Sequence, residues 1–246
     1  MSAPANPGLA LGGGLPWERL RARARLLPGL HHPRFPPGQA SCRVCRGPAG
    51  AGYLRCYQCA RHESAGPGLL ADVVVPISYA VRGAAFTSDL WRYKSPWATD
   101  AAVRTSLLSL LLVFLRDHGE CVWRAGGMPV PDRLAVVPSG YGRPDVHPLL
   151  RMVAPHVRLP LARLLVRPGE QGRDLNPDRF AAAAVPGAHV LLIDDAWVSG
   201  ASIQSAAAAL KLAGAATVAA VVLGRYVDPG PEYPAHDPAI CAICGK

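Results

Sequence analysis

Two groups of residues in this 246-residue sequence are equipped for chemistry. The first lies in VLLIDDAWVSGASIQSAAAALKLAGA, residues 190–215. An apolar run, predicted as a strand over 189–193, ends in two adjacent carboxylates, Asp194 and Asp195. A short turn, 196–202, follows with Ser199, Gly200 and Ser202, and an alanine-rich helix is expected over 202–213. Such a turn gathers backbone N–H groups at a helix N-terminus, where unpaired donors and the helix dipole favour a phosphate. Gly200 permits close backbone approach, and the serines add hydroxyl donors. The carboxylates are poor partners for phosphate itself. They suit sugar hydroxyls, or a magnesium ion held through water. A phosphate site, a diol site and a magnesium site within the nine residues 194–202 fit a phosphorylated ribose.

The second group is Cys42-x2-Cys45-x10-Cys56-x2-Cys59. Each CxxC makes a tight turn that offers two thiolates to one ion, and two such knuckles complete a tetrahedral zinc site. With all four positions filled by cysteine, the site reads as structural. Zinc would organise a Gly/Pro-rich segment too short to build its own core. Cys241-x2-Cys244 is a further pair. It could join one of the first knuckles, bind a second ion with His62 or His236, or dangle. The Cys42, Cys45, Cys56 and Cys59 set is the preferred metal site. Cys121 is isolated and reads as a structural thiol. His118 and the other remaining histidines read as ordinary packing or surface residues.

The elements that must position these groups follow from apolar patterning. Strands are expected over 71–77, 134–137, 161–166 and 217–223, and helices over 17–27, 99–116 and 149–157. Strand, helix and strand within 189–223 make a βαβ unit, which implies a parallel sheet flanked by helices. The domain reading is a flexible basic segment over 1–40, a cysteine module over 41–66, an α/β domain over 67–226 and a Pro-rich tail over 227–246. Half the residues are hydrophobic, which excludes a wholly disordered chain, and the 25 Gly and 25 Pro show no collagen-like period. The apolar run 107–115 is shorter than the ~20 residues a bilayer crossing needs, so no membrane association is expected, although this run could mediate oligomerisation. No signal-peptide pattern is visible, which predicts a cytoplasmic, reducing location and free or metal-bound thiols. With 26 Lys and Arg against 17 Asp and Glu, the formal charge is +9, suited to anionic partners. The N-terminal arginines, Arg19, Arg21, Arg23 and Arg25, make nucleic acid a possible partner.

Residues 190–202 resemble the 5-phosphoribosyl-1-diphosphate (PRPP) signature of type I phosphoribosyltransferases, an apolar run followed by D-D-x-x-x-[ST]-G-x-[ST], matched at Asp194, Asp195, Ser199, Gly200 and Ser202. The resemblance implies that fold. It also implies that Asp194 and Asp195 hold the ribose hydroxyls, and that Ala196, Trp197, Val198, Ser199, Gly200, Ala201 and Ser202 wrap the 5′-phosphate. By the same likeness LAVVPSGYGRP, 134–144, stands where a pyrophosphate loop belongs, with Pro138, Ser139 and Gly140 in the turn and Arg143 neutralising the leaving group. RPGEQGRDLNPDRF, 167–180, stands where such enzymes have a mobile hood, with Arg167, Arg173 and Arg179.

With its four-cysteine module and the WRYKS segment, 91–95, the chain resembles the ComF family of competence-associated phosphoribosyltransferase-like proteins. Gln171, Leu175 and Arg179 echo that family's Q…L…R stretch. GRPDVHP replaces the family's RGFNQ-like run. The implied activity is transfer of a phosphoribosyl group from PRPP with Mg²⁺ to an unidentified nitrogen acceptor, with Asp194, Asp195 and Arg143 as its catalytic groups. A non-catalytic PRPP or nucleotide binder, or an accessory of DNA uptake, is the alternative. A zinc-ribbon nucleic-acid binder is the third reading.

Overall fold

The computed structural model describes residues 9–33, 40–94, 101–138, 148–166, 172–230, 233–235 and 241–244. In chain order the elements are α1 (Trp17–Ala24), α2 (Tyr57–Ala65), β1 (Val73–Val81), α3 (Ala85–Arg92), α4 (Ala101–Ala125), β2 (Arg133–Val136), α5 (Pro148–Val153), β3 (Leu164–Val166), a 3-10 turn (Pro177–Arg179), β4 (Phe180–Ala182), β5 (His189–Trp197), α6 (Ala201–Leu212) and β6 (Thr217–Val227). Four strands form a parallel sheet in the order β1-β6-β5-β2, and β3 and β4 form a separate antiparallel pair. The central strands β5 and β6 are nearly continuous apolar runs because both faces of the sheet are covered.

Side-chain alternation divides the core in two. Leu191, Ile193, Ala219 and Val221 face the side on which α1, α3, α4 and α5 pack. Val190, Leu192, Val218, Ala220 and Val222 face α6, the β3–β4 pair and the cysteines Cys42, Cys45 and Cys59. The expected α/β class, a parallel sheet flanked by helices with a four-cysteine cluster near the start of the chain, is the observed one.

Several elements differ from the sequence reading. Helix α4 runs on to Ala125, past the polar RDHGE stretch, because Val122 and Trp123 return to the core. Its leucine run is consumed there: Leu107, Leu110, Leu111, Leu112, Val113, Phe114 and Leu115 are all buried within the chain, which removes that run as an association surface. No described helix is long and apolar enough to cross a membrane. Helix α1 docks on α4. Arg21 donates to both oxygens of Asp117 at 3.0 and 2.9 Å, and Arg116 lies 4.4 Å over the Trp17 ring, so part of the N-terminal positive charge is engaged inside the fold. Leu9, Leu11 and Leu15, expected to be mobile, pack against the same core. Helix α2 carries a weak apolar pattern and α3 is only eight residues long, so tertiary packing is what selects them.

Gly224 in β6 sets how closely α3 approaches the sheet. A Cβ there would lie 2.5 Å from Leu90 Cδ1 and 3.1 Å from Ala80 Cβ. We predict that Gly224→Val destabilises the protein by about 1–3 kcal/mol despite valine's strand preference, because overpacking outweighs propensity. Urea unfolding measures it, and an unchanged midpoint would contradict this packing argument.

Candidate functional site

The carboxyl ends of β2 and β5, the start of α6 and the end of α3 surround a cleft of about 240 Å³. Val137 and Pro138 line it from β2, and Leu90, Trp91 and Lys94 from the α3 end. Asp194, Asp195 and Ala196, then Val198 through Ile203, line it from β5 and α6, and Tyr226 from β6. Segments far apart in sequence therefore converge on the acidic pair. Ser139, Gly140 and Arg143 lie outside the described residues, so only Pro138 of the expected pyrophosphate loop is placed.

The strand β5 does not stop before the carboxylates. It continues through Trp197, which pairs with Arg225 of β6. The turn therefore shortens to 198–200, and α6 begins at Ala201. Strand alternation sends Asp194 and Asp195 to opposite faces. Asp195 falls on the α3 side, where the Tyr93 hydroxyl donates to its Oδ2 and Lys94 Nζ reaches the same oxygen at 2.6 Å. The Asp195 N–H donates to Asp194 Oδ1 at 2.8 Å. The two residues are 7 % and 2 % exposed.

This burial dominates the electrostatics. Desolvation, then the neighbouring Asp195 charge, push the Asp194 carboxyl well above the usual carboxylate range, and Lys94 offsets only part of that. Burial followed by the Asp195 charge pushes the Tyr93 hydroxyl up as well. Burial works against the Lys94 ammonium, but the attraction of Asp195 outweighs it and holds the proton more firmly. Tyr93 and Lys94 sit in the WRYKS segment, yet sequence alone does not reveal that both close on one carboxylate oxygen.

Gly200 occupies the left-handed region at φ 83° and precedes the first residue of α6. A Cβ there would fall 2.2 Å from Trp197 Cζ2. Trp197 is thus the buried floor beneath the turn, and its side chain is not among those lining the cleft. No side chain caps the N-terminus of α6 in the usual way, while Ser199 Oγ accepts from the Ala201 N–H at 3.3 Å. Arg225 braces the turn from behind, donating from Nη1 to the carbonyls of Trp197 at 3.3 Å and Val198 at 3.1 Å. Its role was not legible in the sequence, where it is one basic residue after an apolar run.

The expected hood divides in two. Arg167 and Gln171 lie outside the described residues. Residues 172–180 are pinned to α6: the Asn176 N–H donates to Ser205 Oγ at 2.9 Å, and buried Arg179 reaches Ser202 Oγ at 3.4 Å and the Gly172 carbonyl at 3.0 Å. Arg179 therefore places positive charge beside the start of α6 as a fixed part of the structure.

Cys42, Cys45, Cys56 and Cys59 bring their sulfurs within 4.8 Å of one another, and Cys45 Sγ and Cys56 Sγ are 3.8 Å apart. Four sulfurs at about 2.3 Å from a tetrahedral zinc ion would be separated by about 3.8 Å. The donor set fits a metal ion. The four thiols share charge unevenly: hydrogen bonds from Cys45, Cys56 and Cys59 hold the Cys42 thiol below its ordinary range, while the neighbouring thiols and burial push Cys59 above its own. The cluster touches the cleft's scaffold. Arg46, with φ 58°, accepts at its carbonyl from the Tyr79 hydroxyl, and Gly47 leaves room for the Arg225 guanidinium, whose Nη2 would sit 2.5 Å from any Cβ there. Cys241 and Cys244 do not join this cluster. They lie with His118 and Cys121, and not with His62; His236 is outside the described residues.

Together these features define an α/β protein with a polar, acid-floored cleft at the carboxyl ends of a parallel sheet. No protein-family model matches the chain. No curated protein matches it. Among solved structures it is similar to a purine phosphoribosyltransferase from Pyrococcus horikoshii Ot3, at 14% identity and a TM-score of 0.30, over 52% of this chain and 90% of that one.

We predict that Gly200→Ala, which forces both the left-handed backbone and the Trp197 contact, costs at least about 1 kcal/mol, read as a lower thermal midpoint. A second expectation concerns pH. The folded state binds the Asp194 proton more tightly than the unfolded chain does. The stability this contributes is complete below the ordinary carboxylate range, near about pH 4, and is lost as pH rises through the raised value. Asp194→Asn removes that loss and should stabilise the ligand-free protein by roughly 1–2 kcal/mol at neutral pH, with the gain shrinking toward pH 4. A gain that grows on acidification would contradict the assignment.

Proposed function

We propose that this chain is a phosphoribosyltransferase-like protein, similar to the ComF family, that binds PRPP with Mg²⁺ and transfers the phosphoribosyl group to a nitrogen nucleophile with release of pyrophosphate. The observation that carries the reading is the convergence, in one cleft, of the Asp194–Asp195 floor, the 198–200 turn with the start of α6, the end of β2 and Lys94. The 5′-phosphate would take the N–H groups of the turn and of the first turn of α6, beside Arg179. The ribose hydroxyls would donate to Asp194 and Asp195. Lys94, already within the cleft, would turn from Asp195 toward the diphosphate when a diol takes its place on the carboxylate.

The hard oxygen donors of the pair fit a magnesium ion held through water. When bound there, such an ion would supply neutralisation of the charge on the leaving diphosphate. The bond from the anomeric carbon to the diphosphate oxygen breaks, and the acceptor nitrogen supplies the electron pair for the new bond. The intervening charge on the ribose resembles an oxocarbenium ion. No protein nucleophile is required; the chain's contribution is positioning and charge complementarity. Trp91, 61 % exposed at the rim, offers a ring face for a planar heterocyclic acceptor. Cys42, Cys45, Cys56 and Cys59 would hold a structural zinc ion, leaving that cluster no open position for catalysis.

One observation favours a second reading, binding without transfer. Asp195 Oδ2 is already met by both Tyr93 and Lys94, so a ribose hydroxyl that takes that oxygen must displace one of them. Calorimetric titration with PRPP and Mg²⁺ should show binding that weakens at least about tenfold, roughly 1.4 kcal/mol, in the Asp194→Asn, Asp195→Asn double variant. Absence of heat at millimolar PRPP would sink both readings. Binding without pyrophosphate release, across a panel of purines, pyrimidines and amines, would favour the second.

A further inference from the structure

We propose that His118, Cys121, Cys241 and Cys244 form a second zinc site, independent of the Cys42, Cys45, Cys56 and Cys59 cluster and of the reading of the cleft. One ligand atom from each lies within 4.8 Å of the others. His118 and Cys121 are three residues apart on α4, the spacing that puts two side chains on one helix face. Cys241 and Cys244 supply a CxxC turn in which the Cys244 N–H points to Cys241 Sγ at 3.2 Å. Cys244 Sγ is 3.7 Å from His118 Nδ1, against about 3.6 Å for sulfur and nitrogen sharing a tetrahedral zinc ion. The two sulfurs of the CxxC are 3.0 Å apart, and an ion between them would spread them to about 3.8 Å.

The donor chemistry selects the ion. Three thiolates and one imidazole are soft and borderline ligands suited to zinc, and poor ones for magnesium or calcium. Four protein ligands close the coordination sphere, so the site is structural. Its surroundings support that role. His118 and Cys241 are buried, and the His118 ring is 5.6 Å from that of Phe114. Cys244 and Ile243 pack partly buried against the main core cluster, whereas Cys121 enters the same cluster from α4. None of the four lines the cleft. The ion would tie together residues 126 positions apart and hold the 241–244 segment on α4. It explains why a histidine is buried at the point where α4 turns polar, and why a cysteine sits one turn further on.

The test is zinc stoichiometry of the full chain, purified from zinc-supplemented cells without chelator. Two ions per chain are expected. Cys241→Ser with Cys244→Ser should remove one, as should His118→Ala, while Cys42→Ser with Cys45→Ser removes the other. His118→Cys should retain both. Should a variant fail to fold, the unaltered chain still decides: Cys121, Cys241 and Cys244 must be protected from alkylation until a chelator is added. One ion per chain, two ions that both survive loss of Cys241 and Cys244, or a native mass two hydrogens light from a Cys241–Cys244 disulfide would each overturn the site.

Discussion

Two adjacent carboxylates held out of water at the end of a central strand impose the constraint around which this structure is arranged. A buried carboxylate is costly unless it is paired, hydrogen-bonded or protonated. The strand sends Asp195 to the α3 face, where Tyr93 and Lys94 meet it. Asp194 goes to the other face, and burial drives it toward the protonated form. Among the described residues the cleft is therefore electrostatically unequal: Lys94 pairs with Asp195, and no ion pair of this kind is seen at Asp194. A divalent cation arriving with an anionic sugar phosphate would complete the second. Under the proposed function, that is the physical reason for an acidic floor in this cleft.

The parts of the fold that position this pair are steric as much as polar. Gly224 lets α3 lie close enough to the sheet for Lys94 to reach Asp195. Gly200 lets the turn close over Trp197. Arg225 holds two carbonyls of the turn while its guanidinium packs against Gly47 of the first cysteine knuckle. The cysteine cluster is thus continuous with the wall of the cleft, and its cysteines Cys42, Cys45 and Cys59 share a core with α6. A metal ion there would stiffen the turn through Arg225 without touching a ligand in the cleft.

The molecule carries its soft donors in two sets on opposite faces of the sheet. Cys42, Cys45 and Cys59 belong to the α6 side, and Cys241 and Cys244 to the α4 side. Each set joins a CxxC turn to a structural element of the core, and each lies at a segment with few regular elements of its own. Metal binding at such places substitutes for the apolar area that short segments lack.

Sequence by itself determined the class of fold and the location of the acidic turn, because both are local signals. Apolar runs of strand length, an alanine-rich helix and a Gly/Ser turn after Asp194–Asp195 depend only on neighbours in the chain, and so does Cys42-x2-Cys45 paired with Cys56-x2-Cys59. Strand ends were less legible: β5 runs to Trp197 because β6 continues alongside it, a fact of pairing that no local pattern contains. The closing of Tyr93 and Lys94 on Asp195, the bracing by Arg225 and the fixing of 172–180 on α6 were decided by tertiary structure alone. The gathering of His118 and Cys121 with Cys241 and Cys244 belongs to the same class. His118-x2-Cys121 is visible as a half-motif, but its partners stand more than a hundred residues away. Only the packing of the 241–244 segment on α4 brings them within reach, since side-chain chemistry at that separation depends on how the chain folds back and not on spacing.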